Sequence, residues 1–135
     1  MAALTKDRDT KRRTGVDFSS PVAAGVRIFT GAVVCLNAAG FAVPATAATG
    51  LKFPAVAREG VDNQGGADGD VSVDLLREVV GLDMASDVDR TVIGAVVYLD
   101  DDHTVTAAAA GRSPAGLLVD VAEGLAWVDP TALKN

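Results

Sequence analysis

Two stretches of the chain open with the same residues. Residues Gly94–Val105 read GAVVYLDDDHTV, and residues Gly31–Val43 read GAVVCLNAAGFAV, so the pattern Gly-Ala-Val-Val-x-Leu occurs twice. Each apolar run is short and rich in valine, which favours strands. Each is followed by residues that favour turns, aspartate in one case and asparagine and glycine in the other. The two stretches therefore predict a strand, a turn and a returning strand, built twice.

The likeness continues beyond these hairpins. Val43 corresponds to Val105, alanine-rich tracts reach Gly50 and Gly111, Pro54-Ala55 matches Pro114-Ala115, and Glu59-Gly60 matches Glu123-Gly124. The predicted pseudo-repeats span about 26–83 and about 88–130. Two copies are too few for a solenoid and favour a pseudo-symmetric barrel or sandwich.

Composition supports the same fold class. The chain has 135 residues, of which 49% are hydrophobic but only 4% are aromatic, and its 14 glycines and 5 prolines recur every few residues. Short strands joined by tight turns fit such spacing, so an all-β domain is predicted. In the strand Ala95–Leu99 both faces are apolar, which predicts that the core covers one face and another strand or a partner covers the other.

Charged residues are distributed unevenly along the chain. Residues 1–20 carry five basic and three acidic side chains, whereas the remaining residues carry seven basic and fifteen acidic ones. An acidic body repels phosphates, so nucleic-acid binding is not expected. Residues 1–20 lack hydrophobic periodicity and predict an extended basic arm. Residues 21–135 predict a single β-rich domain.

The run DDDH at Asp100–His103 contains the only histidine and raises the question of a metal or acid–base site. Consecutive residues of a strand or turn point in different directions, whereas metal ligands must converge. The run is therefore interpreted as a hairpin tip, and no catalytic residue, metal or cofactor is predicted. A small metal-dependent hydrolase that uses Asp100, Asp102 and His103 is the less favoured alternative. A soluble β-barrel module that binds a small molecule is another.

Three further segments invite interpretation. Cys35 lies in an apolar run and is expected to be a buried, inert thiol. Residues Asp62–Asp70 read DNQGGADGD, which lacks the ligand alternation and the terminal glutamate of a calcium loop, so a flexible, solvated loop is expected. Residues Val71–Val80 fit a strand or a helix, and the repeat favours a strand.

A signal-like pattern follows the arm, because KRRTG precedes a largely apolar stretch at Val22–Ala48. Asp17 and Arg27 place charges in or beside this stretch, and its opening pattern recurs at Gly94, where a signal cannot lie. The stretch is therefore expected to be part of the fold. No run approaches the ~18 apolar residues that span a bilayer, and synthesis in a cytoplasm is expected.

The order of motifs resembles that of the small head-decoration, or capsid cement, proteins of tailed phages and prophages. The resemblance rests on GDVSVDLLREVVGLDMA at Gly69–Ala85 and on GAVVYLDDDHTVTAAAAGRSPAGLLVDVAEGLAWVD at Gly94–Asp129. It covers residues ~69–129 well and the first half more loosely. The chain departs from the family in its longer basic leader and in Pro114, where an aliphatic residue is typical.

The resemblance implies a small β-barrel or β-tulip-like fold bound to the outer surface of the virion. It implies a non-enzymatic role, in which the chain stabilises the capsid by bridging subunits of the major capsid protein. The implied partners are that protein and other copies of this chain in a homotrimer, with no membrane or nucleic acid. The side chains expected to contact the capsid or a neighbouring copy are the basic ones of the arm: Lys6, Arg8, Lys11, Arg12 and Arg13.

Overall fold

The computed structural model describes residues 2–10 and 16–132. Within these residues the chain forms twelve β-strands, two short 3₁₀ helices and no α-helix, which confirms the predicted all-β class. The strands are β1 (Asp17–Pro21), β2 (Arg27–Ile28), β3 (Val33–Leu36), β4 (Ala42–Pro44), β5 (Lys52–Ala57), β6 (Val61–Asp62), β7 (Ser72–Leu76), β8 (Val80–Met84), β9 (Val96–Leu99), β10 (Thr104–Thr106), β11 (Pro114–Ala122) and β12 (Leu125–Asp129). The 3₁₀ helices are Arg90–Val92 and Pro130–Ala132.

Residues 17–76, the N-terminal unit, contain a five-stranded antiparallel sheet in the order β1-β7-β5-β3-β4. The pattern of β7 shows how the sequence specifies a face, because exposed Ser72 and Asp74 alternate with buried Val73 and Leu75. Strands β2 and β6 form a separate pair. The apolar interior consists of Val22, Ile28, Val34, Ala42, Ala55, Ala57, Val73 and Leu75.

Residues 80–129, the C-terminal unit, contain a closed barrel in the order β10-β8-β12-β11-β9. The pair β8–β10 that closes it is parallel, and the other four pairs are antiparallel. Strand β12 again alternates, with Ala126 and Val128 buried and Trp127 half-buried between them. The core around the barrel includes Leu82, Val97, Leu99, Val105, Leu118, Ala126 and Val128.

The strands of the two units pair in the same order. When the comparison starts at β1 in one unit and at β8 in the other, the order β1-β7-β5-β3-β4 corresponds strand by strand to β8-β12-β11-β9-β10. The N-terminal unit also has a parallel bridge between Val22 and Ala42, which joins the end of β1 to β4 as β8 is joined to β10. The two units therefore share one strand order, although the N-terminal unit is a sheet with a single closing bridge and the C-terminal unit is a closed barrel.

The closing contact is weaker in the N-terminal unit. In the barrel, the N–H groups of Asp83 and Ala85 each donate a hydrogen bond of 2.9 Å to the strand β10 or its preceding residue. In the N-terminal unit, Ala23 donates the bond that corresponds to that of Ala85, at 3.0 Å. The position that corresponds to Asp83 is occupied by Pro21, which has no N–H to donate. The first seam is therefore held by a single bridge.

Strand β3 is shared between the two hydrophobic cores. Val34 lies in the core of the N-terminal unit, whereas Val33 and Cys35 on the opposite face lie in the core around the barrel. Both faces of β3 are thus covered, which is the arrangement that the sequence predicted for the strand Ala95–Leu99. It does not hold within the chain for β9, where Val97 is buried but Val96 is 37% exposed.

Several predicted boundaries need correction. Strand β1 begins at Asp17, so residues 17–20 belong to the sheet and not to the arm predicted over residues 1–20. Strand β8 belongs to the second unit, although the repeat predicted over about 26–83 assigned it to the first. The cause is that DFSSP in β1 and VGLDM in β8 share no sequence likeness, so only their pairing relates them.

One predicted equivalence is also shifted by a residue. Val43 was matched to Val105, but Ala42 pairs with Leu36 in β3 as Val105 pairs with Leu99 in β9. The residue that corresponds to Val105 is therefore Ala42. The prediction matched Val43 with Val105 because both are valines. In β4, however, the buried residue at the position of Val105 is the smaller Ala42.

Candidate functional site

The aspartate run forms the predicted turn between β9 and β10. The N–H of Asp100 donates to the carbonyl of Thr104 at 2.9 Å, and the carboxylate of Asp101 accepts from the N–H of His103 at 2.8 Å. The carboxylate of Asp100 accepts a hydrogen bond of 3.0 Å from Nε of Arg112, and Nη2 of Arg112 lies 2.9 Å from the same oxygen in an ion pair. Asp100 and Asp101 are therefore engaged in shaping and fastening the turn.

His103 lies on the surface beside β8. Its Nδ1 is 2.9 Å from Oδ2 of Asp83, and its Nε2 is 3.5 Å from Oδ1 of Asp101. The hydrogen bond with Asp83 and the charge of Asp101 raise the pKa of the imidazole above its ordinary value. Asp83 was not predicted as a partner, since no sequence signal links β8 to this turn.

The hydrolase alternative required Asp100, Asp102 and His103 to converge. Instead, atoms of Asp101, Asp102 and His103 that could bind a metal lie within 4.8 Å of one another, and Asp100 is paired with Arg112. The backbone carbonyl of Asp102 accepts a hydrogen bond of 2.7 Å from the N–H of Val33 in β3. The tip thus fastens the C-terminal unit to the N-terminal one, a contact that the sequence does not reveal.

Cys35 is buried in β3, as expected. Desolvation raises the pKa of its thiol to about 12. The thiolate is the form that attacks substrates and binds metals, so burial suppresses this chemistry.

The loop Asp62–Asp70 is solvated, as expected, and several of its side chains fasten it to neighbouring backbone groups. Asn63 is 3% exposed, and its Nδ2 donates at 2.9 Å to the carbonyls of Ala23 and Ala67. The carboxylates of Asp68 and Asp70 accept from backbone N–H groups at 2.7 and 2.8 Å. These acidic groups are occupied in holding the loop against the sheet, which explains the calcium-loop composition without an ion.

The junction of the two units contains an arrangement that the sequence did not predict. Phe53 has a left-handed backbone (φ 56°), and its ring packs edge-on against Phe18 at 5.1 Å. The guanidinium of Arg77 lies 3.9 Å from the centre of the Phe53 ring and donates to the carbonyls of Pro54 and Pro130, at 3.0 and 2.9 Å. Burial lowers the pKa of Arg77, opposed by the charge of Asp129. Arg77 therefore joins the sheet to the end of the barrel.

The described part of the arm, residues 2–10, is exposed throughout. Lys6 and Arg8 lie there, whereas the predicted contact residues Lys11, Arg12 and Arg13 lie outside the described residues. Among residues 2–10 and 16–132, the only backbone hydrogen bond of the arm is internal, from the N–H of Thr10 to the carbonyl of Arg8 at 3.1 Å. The structure therefore places no described arm residue in hydrogen-bonding contact with the body.

The barrel interior is filled by side chains. The apolar cavity that lies between the units, lined by residues such as Val33, Leu82 and Val128, has a volume of about 10 Å³. That volume is of the order of one water molecule, whereas ligand pockets measure ~300–1,000 Å³. This cavity is too small to act as a small-molecule site.

Within residues 2–10 and 16–132, no helix is long and apolar enough to cross a membrane. Comparisons with known protein families, with curated proteins and with solved structures found no match to this chain.

Proposed function

We propose that this chain is a non-enzymatic structural protein that decorates the outside of a tailed-phage capsid and stabilises it by bridging subunits of the major capsid protein. In this proposal it binds as a homotrimer, and its location is the virion surface. The resemblance of residues ~69–129 to capsid cement proteins is the starting point. The all-β fold, with interiors filled by side chains, is compatible with such a role.

The observation that carries the proposal is the exposed arm. Residues 2–10 carry Lys6 and Arg8 and make no described hydrogen bond to the body. A polar segment of this kind cannot offset its own ordering entropy, so it gains a stable position only on a partner. Arginine binds carboxylates through two parallel hydrogen bonds, which suits a partner with an acidic surface.

Several side chains that could act as acids, bases or nucleophiles are instead used in structural contacts or are buried. This supports a non-enzymatic role. Asp100 is paired with Arg112, and Asp101 binds the backbone of its own turn. Cys35 is buried with a raised thiol pKa. The hydrolase alternative therefore has less support than a binding protein.

The test compares two variants on phage heads assembled without this protein. One lacks residues Met1–Thr14, and the other keeps the full length with the arm's five basic residues replaced by serine. Both should remain folded and both should occupy fewer sites than the unaltered chain. Because individual exposed ion pairs contribute only ~0–1 kcal/mol, the loss should reflect several contacts multiplied by the copies in an oligomer.

A salt titration tests whether the arm attaches the chain through its charges. The unaltered chain should lose occupancy steeply as salt rises, because salt screens exposed charges, and both variants should show a shallower dependence. Equal occupancy of all three proteins at every salt concentration would show that the arm does not attach the chain to heads.

A further inference from the structure

An open cavity of about 410 Å³ lies at the junction of the two units, and we call it the Arg77 cavity. Its volume falls within the ~300–1,000 Å³ that is usual for small-ligand pockets. The apolar part of its wall includes Leu36, Pro54 and Pro130. The charged part consists of Lys52 and Arg77. A ligand that matches this wall combines an apolar body with a negative charge.

The two cations of the Arg77 cavity differ from the other cations of the body in their pairing. Within residues 16–132, the other four arginines are each ion-paired with an aspartate: Arg27 with Asp62, Arg58 with Asp17, Arg90 with Asp120 and Arg112 with Asp100. Of the lysines and arginines in that range, Lys52 and Arg77 alone have no carboxylate in ion-pair contact. The cavity therefore holds two positive charges that no described carboxylate contacts.

The guanidinium of Arg77 is held in place by the protein itself. Its Nε donates to the carbonyl of Pro54 at 3.0 Å, its Nη2 donates to the carbonyl of Pro130 at 2.9 Å, and it lies 3.9 Å from the centre of the Phe53 ring. Arginine has five N–H donors, so further donors are available to a ligand. Burial lowers the pKa of Arg77, which indicates that the guanidinium has lost part of its hydration. An anion that binds a cation already fixed in position loses less conformational entropy in doing so.

The backbone beside this cation is irregular. Phe53 and Pro54 of β5 stand opposite the single residue Cys35 of β3, so β5 bulges at the wall of the cavity. Phe53 also has the left-handed φ of 56°. Bulges and strained residues occur often at binding sites, where the bulge redirects neighbouring side chains and the surrounding fold stabilises the strain. The irregularity therefore adds a second kind of observation to the unpaired charges.

A second open cavity of similar size provides a comparison within the chain. It measures about 480 Å³, and Asp17, Arg58 and Asp74 contribute two negative charges and one positive charge to its wall. Arg58 is paired there with Asp17. In the Arg77 cavity the balance is reversed, because two cations are opposed by the charge of Asp129, which acts on Arg77 without ion-pair contact. An anion should therefore favour the Arg77 cavity over the second cavity.

We propose that the Arg77 cavity binds a small carboxylic acid in its anionic form. The carboxylate accepts charge-assisted hydrogen bonds from Arg77, and the ammonium of Lys52 supplies a second positive charge. The apolar body of the acid lies against Leu36 and Pro130. Neither the arm nor a capsid takes part, so the proposal goes beyond capsid attachment and does not depend on it.

The first experiment titrates the isotope-labelled full chain with phenylacetate and follows its amide signals by NMR. Phenylacetate should bind with a Kd of about 1 mM or below and shift the amides of Lys52, Phe53 and Arg77. Two matched probes separate the contributions. Phenylacetamide lacks the charge and acetate lacks the apolar body, so each should bind about tenfold more weakly or less.

Three results of this titration would overturn the proposal. One is equal binding of phenylacetate and phenylacetamide, which would mean that the cations do not recognise the carboxylate. Another is a set of shifts centred on Asp17 and Arg58, which would place the ligand in the second cavity. The third is the absence of saturable shifts up to about 20 mM phenylacetate, since a site of this size and charge should be filled at that concentration.

The second experiment compares two matched substitutions that remove a positive charge from exposed side chains. Lys52→Gln should weaken phenylacetate binding about fivefold, and Arg58→Gln should leave the Kd within about twofold of the unaltered chain. Lys52→Arg keeps the charge and should retain the affinity. Circular dichroism checks that each variant is folded. Equal affinities of Lys52→Gln and Arg58→Gln for phenylacetate would contradict the proposed site.

Discussion

Val34 and Val97 occupy corresponding positions in β3 and β9, and truncating either to alanine should destabilise the whole molecule. Both are 0% exposed, but Val34 lies in the core of the N-terminal unit and Val97 in the core around the barrel. Each substitution removes two buried methyl groups, a loss of ~1.6 kcal/mol in transfer free energy. The remaining cavity adds ~1 kcal/mol, so the free energy of unfolding should fall by ~2–3 kcal/mol.

Urea unfolding followed by two probes gives the sharpest measurement. Fluorescence of Trp127, the chain's single tryptophan, reports on the barrel, whereas far-UV circular dichroism reports on all strands. Because β3 belongs to both cores, Val34→Ala should lower the midpoint seen by Trp127 as much as the midpoint seen by circular dichroism. The melting temperature should fall by roughly 6–10 °C.

The matched control is Val119→Ala, since Val119 is 39% exposed and loses little buried area. It should change the free energy of unfolding by less than ~0.5 kcal/mol if copies are kept dilute. Two results would refute the reasoning. One is an unchanged midpoint for Val34→Ala and Val97→Ala. The other is a Val34→Ala shift in circular dichroism without a shift in tryptophan fluorescence, which would mean that the units unfold separately.

Three further predictions concern side chains that hold the fold together. Asn63→Ala should lower the free energy of unfolding by ~1–3 kcal/mol because buried carbonyls lose their donor; Asn63→Asp should cost more, and equal stability of both variants to the unaltered chain would contradict the role. Arg77→Lys keeps the charge but loses the planar fork that reaches two carbonyls, so urea unfolding should show a loss of ~1–2 kcal/mol, whereas no loss would mean that charge alone matters. The raised pKa of His103 means that its stabilising pairing is fully present below the unfolded-state pKa of ~6.5 and is lost as pH rises through the folded-state value. An NMR titration should show the His103 pKa falling toward its ordinary value in Asp83→Asn, and an unmoved pKa would show that Asp83 is not the cause.

The hairpins were predictable from sequence because their signals are local. Valine runs followed by Asn or Asp turns specify β3–β4 and β9–β10, and each turn is closed by a backbone hydrogen bond of 2.9 Å, from Asn37 to Phe41 and from Asp100 to Thr104. Glycine and valine content likewise predicts the all-β class. These features depend on neighbours in the chain.

Long-range features could not be predicted in the same way. Two such contacts are the pairing of Asp83 with His103 and the hydrogen bond from the N–H of Val33 to the carbonyl of Asp102. Each joins elements that are distant in the chain, and no local sequence pattern in one element indicates its contact with the other. Phe53 adopts a left-handed backbone that its residue type disfavours, so no propensity indicates it. The predicted arm contacts are likewise properties of a partner surface, which a single chain does not encode.

Pro21 gives the two halves of the molecule unequal resistance to opening. In the parallel ladder that closes the barrel, Asp83 and Ala85 both donate, whereas at the corresponding positions of the N-terminal seam Ala23 donates and Pro21 has no N–H to do so. Thermal fluctuations that separate β1 from β4 should therefore be more frequent than those that separate β8 from β10, and amide hydrogens near Ala23 should exchange with solvent sooner than those near Ala85. Strand β1 follows the arm in the chain. The part of the sheet whose amides are expected to exchange soonest therefore lies next to the segment that is proposed to attach the protein to the capsid.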